Sequence, residues 1–458
     1  MKRLIKGGNI VYKDRCEKQD ILIDGEKIAR VAESIDCPDA EVIDAAGMDI
    51  FPGFIDAHTH MDIDTPAGRS PDDFDRGTKA AVCGGTTTII DFGTQNRGET
   101  LEQALKNWHE MASVGCWCDY GFHMSITDWN EKTHEEMSLM TREGITSYKV
   151  YMAYDALRVT DGEIFEILKA VEEQGGILCT HCENGDLIKE LTKQELARGN
   201  RGPAAHPIAH APAIEAEAIE RYITIGDMAR CPVYIVHTST MTGLRTAIQR
   251  RATGSNVYIE SCPQYFIKDV SEYDAPFEDS CKVVMSPPLR RAEDRRALWS
   301  AAASGEIDVI STDHCPFTVE QKAVGRGDFS KIPNGGPGVQ ERPMLMYSEG
   351  VATGRITKGR MMEMLCENPA KLFGMYPKKG AIAEGSDADI VIWDGRKTGA
   401  FMNADAVSAC GYTNYNGMEL TGRPHMVLLR GETASVDGAV TGEKRGEYVK
   451  RGPSQWTR

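Results

Sequence analysis

A lysine inside an apolar, strand-like run is the first residue that needs a chemical reason. Ser147-Tyr148-Lys149-Val150-Tyr151-Met152 has the composition of a buried strand, and a solvated lysine does not belong there. His58-Thr59-His60, His181, His237 and Asp313 close other runs of the same kind. Imidazole and carboxylate bind divalent cations directly. A lysine that loses its charge on burial becomes a nucleophile toward carbon dioxide, and the resulting carbamate can bridge two cations as a carboxylate does. The six residues therefore suit a two-metal hydrolytic centre. Singly, each has a blander reading. His-X-His is often a pair of hydrogen-bonded imidazoles, Lys149 alone reads as a snorkelling side chain, and Asp313 as a helix N-cap. His123 also ends an apolar run and meets the criterion that selects His181. His314 and Cys315 adjoin Asp313, but neighbours on an extended chain point apart, so both are assigned to packing. His109, His134, His206, His210 and His425 receive structural roles, and the acidic residues Asp62, Asp64, Asp72 and Asp73 read as a solvated rim.

Residues so far apart need a scaffold that brings strand ends together. Eight short runs rich in Val, Ile, Phe and Tyr lie at 54–57, 86–90, 120–123, 147–152, 176–179, 233–236, 256–259 and 307–310. Most lack the alternation of a half-exposed strand, which suits parallel strands buried on both faces. Helical periodicity fills the intervals, as in Thr100 to Ala112, Asp161 to Gln174 and Ala213 to Met228. The pattern predicts an α/β fold, a (β/α)₈ TIM barrel over residues 51–379, whose active site lies at the carboxyl ends of the strands. The candidate ligands fall at those ends. Residues 1–50 and 380–458 carry short alternating segments such as Asp20-Ile21-Leu22-Ile23-Asp24 and Met426-Val427-Leu428-Leu429. Neither flank is large enough for a good core alone, so one composite β-sandwich domain built from both is expected. Leu191 to Pro207 and Thr318 to Pro337 exceed ordinary connection lengths and are read as rim or lid loops.

With 458 residues, 41% of them hydrophobic, the chain can bury a large core and a satellite. Its formal charge of −16 disfavours nucleic acid and anionic membrane surfaces as partners. A neutral or cationic small molecule is the better expectation. Thirteen scattered cysteines imply reduced, buried thiols. Charge and glycine interrupt Met1-Lys2-Arg3-Leu4-Ile5-Lys6-Gly7-Gly8 too early for a signal peptide, which leads to a cytoplasmic expectation.

These residues carry a resemblance to the cyclic amidohydrolases, in particular the dihydropyrimidinase and D-hydantoinase group. It rests on Phe51-Pro52-Gly53-Phe54-Ile55-Asp56-Ala57-His58-Thr59-His60, Gly84-Gly85-Thr86-Thr87-Thr88, Lys149-Val150-Tyr151-Met152-Ala153-Tyr154, His181-Cys182-Glu183-Asn184, Glu260-Ser261-Cys262-Pro263-Gln264-Tyr265, Ser286-Pro287-Pro288 and Ser311-Thr312-Asp313-His314-Cys315. Each segment is weak alone; their order and spacing are specific. The resemblance implies two divalent metal ions, with zinc the first choice. His58, His60 and Asp313 would hold one, His181 and His237 the other, and carboxylated Lys149 would bridge them. It further implies that Asp313 is the general base, that Tyr154 donates to the developing oxyanion, and that backbone groups at Ser286 and Asn334 read the imide edge of a small neutral cyclic ureide. A homotetramer is the assembly it suggests. Allantoinases and dihydroorotases share the fold, and so do adaptor proteins that have lost the metal ligands. Here all six ligand positions hold metal-competent residues. Dihydroorotases usually carry an arginine just beyond His-X-His; this chain has Met61-Asp62-Ile63-Asp64. The expected reaction is hydrolytic ring opening of a 5-substituted hydantoin or a dihydropyrimidine to an N-carbamoyl amino acid.

Overall fold

The computed structural model describes residues 2–65 and 68–456. Among them, two large sheets organise the chain, one of eight strands and one of nine.

The eight-stranded sheet is parallel and runs in chain order through Phe54–Thr59, Thr86–Thr94, Asp119–Ser125, Ser147–Tyr151, Ile177–His181, Val233–Ile235, Val257–Ser261 and Val309–Ile310, which are called here the first to eighth barrel strands. Helices such as Leu101–Ala112, Asp161–Glu173 and Pro212–Ala229 occupy the intervals. Thr100 and Thr160 cap the first two of these through their side chains, as short hydroxyl residues do at a helix start. The barrel closes beyond the eighth strand. Asp313 N–H donates to the His58 carbonyl and His60 N–H to the His314 carbonyl, both at 2.9 Å. Arg342, fully buried, fastens the same seam by donating to the carbonyls of Ile55 (2.7 Å) and Ile310 (2.8 Å). Closure thus sets Asp313 directly against the first strand.

Strands from both ends of the chain share the nine-stranded sheet. Its path joins Asp49–Pro52 to Ile390–Phe401, so the two flanks meet by backbone pairing. Ile5, Ile10, Ile21, Ile23, Ile28, Ile50, Ile390, Ile392 and Leu428 make a small core of its own. Lys27, which opens the strand Lys27–Ala32, bridges to Asp387 and ties the two flanks together a second time. Lys379 lies where this unit meets the barrel, donating to Asp119 (2.5 Å) and Asp389 (2.6 Å).

Two expectations need correction. The stretch predicted as a loop from Leu191 begins inside the helix Gly185–Ala197, N-capped by Asn184. That helix fully buries only Glu195 and leaves Leu191 and Leu196 partly buried against the core, a weaker apolar face than a core-facing helix presents. Asp72 is not a solvated rim residue. It is fully buried, 3.0 Å from His314 Nε2, and accepts from Ser408 Oγ and Ala409 N–H at 2.6 Å each. Asp73 caps the helix Phe74–Cys83. No helix of the described residues is long and apolar enough to cross a membrane.

Candidate metal centre and substrate pocket

Side chains alternate faces along a strand, and this decides what the fourth barrel strand offers. Tyr148 faces the helices, its hydroxyl 3.4 Å from the Met137 carbonyl. Ser147 and Lys149 face the barrel interior, where Ser147 Oγ lies 2.6 Å from His123 Nδ1. Lys149 is 1% exposed, and among the described residues no carboxylate lies within ion-pair distance of it. Its Nζ sits 4.8 Å from the Phe92 ring centroid and 5.3 Å from that of Tyr151. Burial pushes its ammonium below the ordinary lysine range, which favours the free amine that reacts with carbon dioxide.

The histidines are aimed by carboxylates behind them. Glu260, in the seventh strand, lies 2.7 Å from His58 Nδ1 and also accepts from Tyr234 Oη (2.8 Å) and His237 N–H (3.0 Å). A carboxylate accepts, so His58 Nδ1 carries a proton and Nε2 is the nitrogen left to offer a lone pair to a metal. That Nε2 is buried without a hydrogen-bond partner and lies 3.1 Å from Asp313 Oδ1, as does His60 Nε2. Ligand atoms of His58, His60 and Asp313 all fall within 4.8 Å of one another. On the other side of the site, Glu183 Oε2 lies 2.9 Å from His181 Nε2, which leaves His181 Nδ1 as the lone-pair nitrogen. It faces His237 Nε2 at 2.9 Å. Four imidazoles thus turn nitrogens toward one region, and the unpartnered buried His58 Nε2 fits a metal in a site of nitrogen and oxygen donors.

With no cation bound, the surrounding carboxylates favour a second proton on His58, at Nε2, which a metal would displace. Burial alone would depress His58, but the flanking Glu260 and Asp313 carboxylates outweigh it and push the imidazole up to about 9. His60 has only Asp313, and burial holds it below its ordinary value. Burial would raise Asp313, yet His58 and His60 hold it well below the usual carboxylate range. Enclosure of its hydroxyl and the Glu183 charge hold the Tyr154 phenol above its ordinary value although the residue as a whole is partly exposed, leaving a protonated donor at neutral pH.

Tyr154, His237 and Asp313 have φ of 68°, 39° and 55°. Left-handed backbone at non-glycine residues costs of order 1–3 kcal/mol each and persists where the surroundings enforce it, commonly at functional sites. Three of the nine residues singled out from the sequence adopt it.

All nine of those residues line one cavity of about 650 Å³ at the carboxyl ends of the strands: His58, His60, Lys149, Tyr154, His181, His237, Ser286, Asp313 and Asn334. Ile63, Leu157, Phe317, Val324 and Ile332 form apolar parts of its wall, so the segment after Thr318 does border the pocket. Asn334 Nδ2 donates to Ser286 Oγ at 3.0 Å. Tyr154 is 37% exposed, and its ring centroid lies 5.1 Å from that of His181. His123 is excluded as a ligand by its partners: Nδ1 meets Ser147 and Nε2 lies 3.0 Å from the Ala57 carbonyl. His314 is engaged by Asp72 and by Gly338 N–H, which donates to its Nδ1 at 3.1 Å.

Sequence reasoning missed the supporting carboxylates and His210, whose Nδ1 lies 2.9 Å from Glu183 Oε1. A signal existed. Glu260 is an acid inside an apolar run, the same anomaly that marks Lys149, and Glu183 follows His181 by two residues, the spacing that shares a strand face. Glu260→Gln is expected to weaken metal binding about 10–100-fold, the usual effect of losing such a support, read by titration of the metal-free protein with Zn²⁺; unchanged affinity would remove Glu260 from the site.

A closed parallel barrel with a histidine, lysine and aspartate cluster at its carboxyl ends defines a class of barrel hydrolase. The chain belongs to the amidohydrolase family, whose model matches residues 50–434. It is 41% identical over 455 residues to a D-hydantoinase of Geobacillus stearothermophilus, covering 98% of this chain and 97% of that one. It is 39% identical over 459 residues to a D-phenylhydantoinase of Escherichia coli, with 99% of each chain covered. The crystal structure of a dihydropyrimidinase from Brevibacillus agri superposes with a TM-score of 0.97 at 40% identity, covering 99% of both chains.

Proposed function

We propose that this protein is a cyclic amidohydrolase that opens the ring of a 5-substituted hydantoin or a dihydropyrimidine to give an N-carbamoyl amino acid. The carrying observation is the convergence of the ligand, base and donor residues in one cavity, and the relatives' names point to the same reaction. In this reading residues 51–379 are the catalytic barrel, and 1–50 with 380–458 form the sandwich domain.

His58, His60 and Asp313 would hold one divalent ion, His181 and His237 a second, with carboxylated Lys149 between them; zinc suits the nitrogen and oxygen donors. Such ions, when bound, lower the pKa of water toward ~7 and polarise a carbonyl. Asp313 takes the proton from the attacking water and delivers it to the leaving ring nitrogen. Glu260 and Glu183 hold the imidazoles while this occurs. Tyr154 Oη donates to the carbonyl oxygen as negative charge develops, and Ser286 and Asn334 meet the imide edge of the ring. Tyr154→Phe is expected to lower kcat by ~10²–10³, the usual cost of one lost oxyanion donor, in steady-state assays; an unchanged kcat would remove Tyr154 from the mechanism.

Among the described lining residues there is no arginine to pair a substrate carboxylate, Lys331 pairs with Asp328 at 3.3 Å, and Asp62 pairs with Arg69 at 3.3 Å. A neutral ring is favoured, and the apolar wall suits an aliphatic or aromatic substituent. The test is a panel of dihydrouracil, hydantoin, D- and L-5-phenylhydantoin, allantoin and dihydroorotate with zinc-loaded protein, alongside metal content per chain. Turnover of hydantoins or dihydrouracil is the expected result. Turnover of dihydroorotate alone would replace the substrate assignment, and neither metal nor turnover would favour a non-catalytic adaptor.

A further inference from the structure

Lys322 closes the short helix Val319–Lys322, which begins with a Thr318–Gln321 capping box. Its side chain is 0% exposed, and among the described residues no carboxylate lies within ion-pair distance. Its ammonium donates to two backbone carbonyls, Val284 at 3.0 Å and Pro333 at 2.8 Å, and lies 5.9 Å from the centroid of Phe317, a pocket-lining ring. Burial pushes it down to about 8. A buried charge without a counter-charge is costly, and an apolar residue of similar length would pack there at lower cost. The position of the two acceptors supplies the reason for a cation.

Val284 lies two residues before Ser286, and Pro333 directly precedes Asn334. The Val284 carbonyl also accepts from Gly335 N–H at 3.0 Å, so the two segments are paired at that point. His206 Nε2 holds the intervening Met285 carbonyl at 2.8 Å. The Asn334–Ser286 hydrogen bond lies on the pocket side of this arrangement. Carbonyls held from outside leave Ser286 and Asn334 with few ways to drift apart, since an error of about 1 Å in a binding contact is enough to degrade it.

We propose that Lys322 is a positioning residue for ring recognition: its ammonium clamps the 284–286 segment to the 333–335 segment and thereby sets the spacing of Ser286 and Asn334 across the substrate's imide edge. This rests on the functional reading above. Lys322 does not itself line the cavity and hydrogen-bonds to none of the metal-ligand residues, so its loss falls on substrate binding and leaves the metals alone.

The test is steady-state hydrolysis of 5-phenylhydantoin by wild type, Lys322→Met and Lys322→Gln, with metal content and melting temperature measured on the same preparations, and a double-mutant cycle with Asn334→Ala. The expected result is KM raised about tenfold in K322M and less in K322Q, which keeps an N–H donor. Both should retain kcat within about twofold and wild-type metal content. The KM effects of K322M and Asn334→Ala should combine to less than their product, because both act through one contact. An unchanged KM, or losses confined to kcat and metal content, overturns the clamp. If K322M does not fold, K322Q decides alone: a threefold or greater KM rise at normal metal content supports the clamp and an unchanged KM overturns it. A wild type that turns over none of the panel overturns the functional reading and the clamp with it, an outcome distinct from an active wild type with an indifferent Lys322.

Discussion

Lys149→Ala is expected to lose metal and activity together, falling from about two divalent ions per chain to one or none, with turnover at the assay background. The residue lies in the barrel interior among His58, His181 and His237 without an ion-pair partner among the described residues, and burial favours its neutral form. As a carbamate it would add a negative bridging group to a centre otherwise supplied with four imidazoles and one carboxylate. Alanine removes that charge, leaving cations facing neutral nitrogens across a gap. Elemental analysis of dialysed protein beside a hydantoin assay measures both effects. Metal-free wild type should regain activity faster when zinc is supplied with bicarbonate, and the variant should not respond. Wild-type turnover with a full metal complement in K149A would eliminate the bridge.

Asp313→Asn should fold and lose ~10²–10⁴ in kcat, the range for a missing general base, with a further loss wherever the weaker amide ligand releases metal. Asparagine is the better replacement because residue 313 has φ 55°, a conformation asparagine tolerates and alanine does not. The bond that closes the barrel here runs from the backbone N–H to the His58 carbonyl, so it survives the change. The carboxylate itself, held ionised by His58 and His60, does not. Circular dichroism should match wild type while kcat collapses. Retained kcat would transfer the proton to another group.

The legible part of this protein was the part that violates the cost of burial. Lys149 within an apolar strand, and histidines and an aspartate at strand ends, cannot be explained by packing, so they stood out without a partner being known. The barrel was legible for a related reason: strands buried on both faces read as continuous apolar runs. Less legible was anything held by a distant acceptor. Asp72 was read as solvated rim, but Ser408 and Ala409, more than 330 residues away in sequence, take it into the interior. Lys322 looked like an ordinary loop lysine because its acceptors are backbone carbonyls, which every residue possesses and no side-chain pattern reports. His210 received only a general structural role, because nothing near it in sequence names Glu183 as its partner.

By itself, then, the sequence determined the inventory of chemistry and the scaffold class, because residue type and hydrophobic period are local properties that need no coordinates. The tertiary structure decided which nitrogen of each histidine faces the site, through Glu260 behind His58 and Glu183 behind His181. It also decided that Asp313 meets the first strand, through closure of the barrel seam. The His58 tautomer and the seam are settled by short-range contacts between groups more than two hundred residues apart, and only the folded chain brings those groups within hydrogen-bonding distance.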